Sequence, residues 1–164
     1  MPLNTSESRS APRQPAQSAE RRRLRIRRIY PVAPEKIWRA WTDPQALSRW
    51  FGPGEPDSVT SAELDVRVGG RYRIAFLAPD GVEHVAAGVY QEVVENRRLV
   101  FSWTRAGMPE LASLVTIELQ PVSAGTELSF LHEFPDAAAR DDHQRGWLPT
   151  FAKLAAFIGV GENR

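Results

Sequence analysis

Apolar and polar residues alternate along several short segments between residues 22 and 133, with the period of two that is typical of half-buried β-strands. In the last segment Leu128, Phe130 and His132 fall on one face of the predicted strand. Turn signals such as Gly69-Gly70 separate the segments. Short strands joined by tight turns predict an antiparallel meander. The predicted strands cover 22–30, 58–68, 71–77, 84–94, 99–104, 115–119 and 126–133.

Three further segments have the spacing of amphipathic helices. Pro34 and Pro44 each begin a short helix, because proline is favoured at the first helical position. Gly52-Pro53-Gly54 ends the second helix. The third begins at Asp136, a natural N-cap, and its apolar side chains recur at i, i+4, i+7 and i+11. These side chains are Trp147, Phe151, Leu154 and Ile158.

A meander with one apolar face and a long amphipathic helix must bury those faces against each other. The sequence therefore predicts an α+β fold, in which a curved antiparallel sheet wraps around the long C-terminal helix. Two short helices lie between strands 1 and 2. The 164 residues suit one domain plus a tail. Residues 1–20 are rich in Ser, Pro, Gln and Ala, which predicts a disordered tail before a single domain over residues 21–164.

Composition narrows the classes of function. The chain has no cysteine, which excludes disulfides and thiolate metal ligands. The histidines at 84, 132 and 143 are too scattered to argue for a metal site, and no cofactor motif is found, so neither is predicted. No apolar run approaches the roughly 20 residues that span a bilayer, and the N-terminus lacks a secretory signal. We therefore expect a cytoplasmic protein, either a monomer or a homodimer.

The net charge of +1 conceals an uneven distribution. Residues 1–28 hold eight arginines against two glutamates, and the remainder of the chain is acidic. Such a leader could touch nucleic acid or an acidic partner. Arg23, Arg25 and Arg27, however, alternate with Leu24 and Ile26, as expected for the solvated face of a strand. The sequence predicts that solvated face and no nucleic-acid partner.

Seven stretches of the chain, taken in order, carry a resemblance to a known family. They are A-P-E-K-I-W-R-A-W-T-D-P (33–44), R-W-F-G-P (49–53), V-R-V-G-G-R-Y-R (66–73), G-V-Y-Q-E-V-V (88–94), R-L-V-F-S-W (98–103), G-T-E-L-S-F-L-H (125–132) and H-Q-R-G-W (143–147). With them the chain resembles the Activator of Hsp90 ATPase homologue-like proteins, within the START-like SRPBCC helix-grip superfamily. The resemblance spans about residues 22–160 and implies a β-α-α-β6-α fold, which agrees with the fold predicted from periodicity.

The resemblance implies three alternative functions. Relatives in the superfamily bind lipids, hormones or polyketide-like molecules, which implies non-catalytic binding of a hydrophobic or aromatic small molecule. The family name implies instead an Hsp90-type chaperone partner, ATPase activation and a role in stress response. Co-chaperones of that type also use a separate N-terminal domain, whereas about 20 residues precede the fold here. The third alternative is a polyketide cyclase-like or hydrolase-like enzyme with His132 as general acid/base near Tyr72 or Tyr90.

The candidate site is a cavity between the sheet and the C-terminal helix. If Phe130 and His132 face inward, His132 is a polar group on an aromatic wall, and few polar groups in an apolar cavity describe a small-molecule site. The predicted ligand-binding residues are Tyr72, Phe76, Tyr90, Phe101, Trp103, Phe130, His132, Trp147 and Phe151. The alternative is that these aromatic side chains fill the interior. We expect Trp50 and Phe51 to pack in the core or to line the mouth of the cavity.

Overall fold

The computed structural model describes residues 15–105 and 108–159. Their elements are α1 (Pro15–Arg21), β1 (Arg23–Tyr30), α2 (Pro34–Thr42), α3 (Pro44–Trp50), β2 (Val59–Leu64), β3 (Arg71–Leu77), β4 (Glu83–Val94), β5 (Arg98–Arg105), β6 (Met108–Val122), β7 (Gly125–Glu133) and α4 (Ala137–Ile158). The seven strands form one sheet in the order β1-β7-β6-β5-β4-β3-β2, and every neighbouring pair is antiparallel. The predicted α+β fold, with a curved sheet, two short helices after β1 and a long C-terminal helix, is confirmed.

The main differences from the predicted boundaries lie in β2, in β6 and at the N-terminus. β2 ends at Leu64 rather than at residue 68. β6 begins at Met108 rather than near residue 115, because β5 and β6 form one long hairpin in which Arg105 pairs with Met108. The N-terminal tail predicted over residues 1–20 is helical from Pro15 onward. Glu20, at the end of α1, pairs with Arg23 and Arg25 of β1, and these ion pairs join the helix to the sheet. Residues 1–14 lie outside the described residues.

Local sequence signals explain where the helices begin and end. Asp43 caps α3, since its side chain accepts a hydrogen bond from the backbone N–H of Gln45 at 3.0 Å. Asp136 caps α4 in the same way through the N–H of Ala139 at 2.7 Å, as predicted from the sequence. Gly159 ends α4 in the left-handed conformation that favours glycine. None of the helices in the described part of the chain is long and apolar enough to cross a membrane.

The core lies between the concave face of the sheet and α4, and it is largely aromatic. Phe130 of β7 lies 4.7 Å from Trp147 and 5.1 Å from Phe151 of α4, measured between ring centroids. Trp41 of α2 and Trp50 of α3 add an edge-to-face pair at 4.7 Å. Such pairs stabilise a core by more than their buried area alone. The two short helices therefore contribute aromatic side chains to this interior together with α4.

The opposite face of β1 carries the alternating arginines. Arg23 pairs with Glu133 at 3.4 Å and Arg27 with Glu127 at 3.2 Å, both across the β1–β7 ladder. These side chains lie on the solvated face predicted from the sequence. Glutamates of the neighbouring strand therefore offset part of the positive charge of β1.

Candidate functional site

The interior between the sheet and α4 is packed rather than hollow. Trp50, Phe130 and Phe151 are each at most 2% exposed. The space left over has a volume of about 10 Å³, close to that of one water molecule. The inner void is lined by Trp41, Leu47, Phe51, Leu64, Tyr72, Ile74, Tyr90, Leu99, Phe101 and Trp103. The predicted hollow is wrong for this conformation, because α2 and α3 insert Trp41, Trp50 and Phe51 into the concave side of the sheet.

A cleft opens to the surface beside the N-terminal half of α4. Its volume is about 70 Å³, and its walls are four aromatic side chains from the end of α3, β3, β5 and α4. These are Phe51, Phe76, Trp103 and Trp147. Arg105, Asp142, His143 and Thr150 add polar groups, and Gly52, Pro53 and Gly146 complete the lining. A largely apolar concavity with a few polar groups has the character of a small-molecule site.

The loop after α3 forms one side of this cleft. Phe51 is the C-cap residue of α3, and its N–H donates to the carbonyl of Leu47 at 3.0 Å. Gly52 follows with φ +98°, a conformation that side-chain-bearing residues rarely adopt, and a Cβ there would lie 3.2 Å from the ring of Phe76. Lys153 of α4 donates from Nζ to the carbonyl of Gly54 at 2.5 Å. The loop is thus held against α4 across the cleft.

Behind the wall formed by Trp147, His132 takes part in a fully buried hydrogen-bond network. The indole N–H of Trp147 donates to Nδ1 of His132 at 3.1 Å, and Nε2 lies 2.7 Å from Oγ of Ser113. Because an indole nitrogen can only donate, Nδ1 must be the acceptor, and the neutral ring carries its proton on Nε2. That proton is donated to Ser113, whose hydroxyl donates in turn to the carbonyl of Trp103 at 3.2 Å.

His143 forms a second pair of the same kind at the cleft itself. The indole N–H of Trp103 donates to Nε2 of His143 at 3.3 Å. The proton of the neutral His143 ring therefore lies on Nδ1, which donates to the carbonyl of Ala139 at 2.9 Å. The two imidazole rings lie 5.4 Å apart. Both networks include Trp103: its backbone carbonyl accepts from Ser113, and its indole N–H donates to His143.

Burial determines the protonation state of His132 and His143. It lowers the pKa of His132 well below its ordinary value, and the neighbouring His143 adds to the effect. Burial also lowers the pKa of His143; the hydrogen bond to Ala139 opposes the shift, and the charge of Arg105 reinforces it. Both imidazoles are therefore neutral near pH 7, which fits their roles as acceptors of indole N–H groups.

This geometry leaves His132 without access to a substrate. The side chain is 0% exposed, both ring nitrogens are engaged, and the ring stacks on Phe134 at 3.8 Å. The hydroxyl of Tyr72, suggested as a catalytic neighbour, donates to the carbonyl of Ser102 at 2.6 Å. Burial raises the pKa of Tyr72 well above its usual value and also raises the pKa of Tyr90, so both phenols remain neutral.

The predicted site residues thus separate into four groups. Phe76, Trp103 and Trp147 line the cleft, whereas Tyr72, Tyr90 and Phe101 line the inner void and Trp103 contacts both spaces. Phe130 and Phe151 are core residues that line neither space, and His132 lies behind Trp147. Phe51 does line the cleft, which was one of the two alternatives for it.

Sequence reasoning predicted Trp147 but missed the other cleft residues of α4, and it missed Arg105 at the end of β5. His143, Gly146, Trp147 and Thr150 recur at spacings of three or four and so share one helical face, a pattern that could have indicated them. Arg105 carries no comparable signal, because its position depends on where the β5–β6 hairpin bends. Among the described residues, no group of three or more His, Asp or Glu side chains is arranged to hold a metal ion.

The sequence profile of a family described as Activator of Hsp90 ATPase homolog 1-like protein matches residues 31–159, most of the chain. The chain belongs to this family. It has the SRPBCC helix-grip fold, whose members commonly bind ligands. A search of curated proteins returned no match.

Solved structures of bacterial proteins share the fold of this Activator of Hsp90 ATPase homolog 1-like protein. A protein from Chromobacterium violaceum is 30% identical, over 84% of this chain and 96% of that protein, with a TM-score of 0.71. One from Rhodobacter sphaeroides is 28% identical, over 87% and 96% respectively, with a TM-score of 0.72. One from Nitrosomonas europaea is 25% identical, over 84% and 94%, with a TM-score of 0.72. In each case the similarity covers nearly the whole of the other protein.

Proposed function

We propose that this protein is a non-catalytic receptor for a small hydrophobic or aromatic molecule, which binds in the cleft between the loop after α3, strand β5 and helix α4. The observation that carries the proposal is the aromatic lining of a concavity that opens to solvent. Trp103 and Trp147 are only 6% and 4% exposed, yet both line the cleft. Rings held in fixed positions lose little entropy when a flat ligand stacks on them.

The polar groups of the cleft are few and lie close together. Arg105 and Asp142 bring opposite charges, and His143 brings a neutral ring whose two nitrogens are engaged. Such groups would orient a ligand while the aromatic walls supply most of the binding free energy. The cleft volume of about 70 Å³ is smaller than the roughly 150 Å³ cavity that holds benzene in an engineered protein, so a ring-sized ligand would remain partly exposed or displace a wall.

Catalysis through His132 is not part of this proposal, because no face of that imidazole reaches the cleft. A chaperone partner, the oligomeric state and a cytoplasmic location stay predictions.

The test is an NMR titration of the full chain with small aromatic probes such as acetophenone. Binding in the cleft shifts the indole N–H signals of Trp103 and Trp147. Gly146→Leu places a branched side chain in the cleft, where a Cβ would already lie 3.8 Å from Pro53. We expect this variant to weaken probe binding at least tenfold.

The matched control is Ala152→Leu, which adds the same side chain to an exposed position of α4 outside the cleft. It should bind the probe as the unmodified chain does. If Gly146→Leu retains full affinity, or if no small aromatic probe binds at millimolar concentration, the cleft is not the binding site.

A further inference from the structure

The cleft and the inner void are separated by a single layer of side chains. Only Phe51 and Trp103 line both spaces. Trp103 is fixed by its hydrogen bond to His143 and by the cross-strand pairing of β5. The side chain of Phe51 makes no hydrogen bond and is held by four neighbouring rings: its centroid lies 5.5 Å from Phe76, 5.8 Å from Trp50 and 6.0 Å from both Trp103 and Trp147. Of these two side chains, Phe51 is the one that no hydrogen bond restrains.

Phe51 lies at the junction between α3 and the loop that follows it. Phe51 is the first non-helical residue after α3, with extended φ and ψ, and Gly52 follows with a positive φ. The volumes of the two spaces, about 70 and about 10 Å³, each fall short of a ring-sized ligand. If the Phe51 ring turns out of its place, the spaces join and gain a volume close to that of a phenyl ring.

An unpaired donor belongs to a residue that lines the inner void. Trp41 lines the void, and its buried indole N–H has no hydrogen-bond acceptor among the described residues. The other buried indoles all have one: Trp50 donates to the carbonyl of Ala40, Trp103 to His143 and Trp147 to His132. A buried N–H without a partner is costly, and such groups in native proteins call for an explanation.

The surroundings of that donor restrict what could bind to it. Leu47, Ile74 and Leu99 line the same void, so an ionised acceptor would lose its hydration without a charged partner. A neutral acceptor such as a carbonyl oxygen would accept the hydrogen bond without that penalty. The phenol of Tyr72 does not compete as a donor for the acceptor atom of the ligand, because its hydroxyl already donates to the carbonyl of Ser102.

We propose that Phe51 is a gate inside one ligand chamber, and that the indole N–H of Trp41 selects a flat aromatic ligand with a neutral hydrogen-bond acceptor at its inner end. This inference rests on the function proposed above and names the class of ligand. The aromatic ring of the ligand takes the position left by Phe51, between Phe76 and Trp103. Its acceptor atom reaches Trp41, and its outer edge remains in the cleft.

Two probes of nearly the same shape test the selection. Acetophenone has a carbonyl oxygen where α-methylstyrene has a CH₂ group. We expect the unmodified chain to bind acetophenone about fivefold more tightly, within the range that one neutral hydrogen bond gives. The indole N–H signal of Trp41 should move downfield with acetophenone and not with α-methylstyrene. Phe51→Ala should bind both probes at least tenfold more tightly and keep the fivefold ratio.

Trp41→Phe, made in the Phe51→Ala background, removes the donor and keeps an aromatic ring. The ratio between the two probes should fall to about one. If this double variant does not fold, the Trp41 signal of the unmodified chain decides the question by itself. Equal affinities for the two probes, or an unmoved Trp41 signal at saturation, would overturn the selection by Trp41 and leave the cleft as a binding site. Failure of both probes to bind the unmodified chain and Phe51→Ala would overturn both proposals.

Discussion

Acidification should destabilise this fold through His132 before its carboxylates are protonated. In the folded state the ring is buried and neutral, with Nδ1 accepting from Trp147 and Nε2–H donating to Ser113. Burial lowers its pKa well below the ordinary value of 6.5 that applies to the unfolded chain. Below pH 6.5 the unfolded state therefore binds a proton at His132 that the folded state does not bind. The free energy of unfolding must fall as the pH falls through this range.

The size of the effect follows from the unfolded pKa. At pH 7.5 an unfolded histidine is almost unprotonated, whereas at pH 5.5 about ten in eleven are protonated. If folded His132 stays neutral at pH 5.5, the loss between these two values is about 1.4 kcal/mol. His143 adds a smaller loss of the same sign, since burial lowers its pKa as well. For a domain of this size, 1.4 kcal/mol is a substantial part of the total stability.

Urea unfolding followed by tryptophan fluorescence at pH 7.5 and pH 5.5 measures this loss. His132→Asn supplies an oxygen acceptor for Trp147 and does not titrate. It should be less stable than the unmodified chain at pH 7.5, because Ser113 loses its partner. Between pH 7.5 and pH 5.5 the free energy of unfolding of this variant should decrease by about 1.4 kcal/mol less than that of the unmodified chain. His143→Asn, the matched variant, should retain most of the decrease. If His132→Asn loses as much stability as the unmodified chain between the two pH values, the buried neutral imidazole is not the cause.

Two further predictions concern the cleft. Gly146→Ala should raise the free energy of unfolding by about 0.5–1 kcal/mol, because alanine favours the helix and its methyl group would meet only Pro53 at 3.8 Å. Thermal unfolding measures this change, and a lower midpoint in the variant would contradict the prediction. Lys153→Met keeps the apolar stem and removes the hydrogen bond to Gly54. Hydrogen exchange of the loop amides should become faster in this variant, while amides of the central strands β5 and β6 remain unchanged; equal protection of the loop in both proteins would show that Lys153 does not hold it.

Much of the fold could be predicted because it depends on local patterns. Strand periodicity, the prolines that begin α2 and α3, and the Asp136 cap were all sufficient to place their elements. The helix α1 was missed because its sequence contains no large apolar face. Its contacts with the sheet include ion pairs between Glu20 and arginines of β1, which join two elements and cannot be inferred from the segment alone.

The candidate site was predicted less well, because burial alone does not tell a cavity wall from a core residue. Phe130 of β7 and Trp103 of β5 are both inward-facing aromatic residues on the two strands that flank β6, but only Trp103 borders a space. The difference depends on how α2 and α3 fill the concave side of the sheet. That filling depends on the packing of three helices together. The hydrogen-bond partners of His132 could not be predicted either, because Ser113 and Trp147 lie 19 and 15 residues away in the sequence.

The cleft and the buried histidines are parts of one arrangement. Trp103 and Trp147 line the cleft, and each donates its indole N–H to a neutral imidazole. A protonated His143 could no longer accept from Trp103, and the wall of the cleft would lose the bond that orients it. A ligand that stacks on the correctly oriented Trp103 therefore favours neutral His143. By thermodynamic reciprocity, protonation of His143 must weaken that ligand by the same factor. Under the proposed function, binding of an aromatic ligand would thus depend on pH through His143 and Trp103.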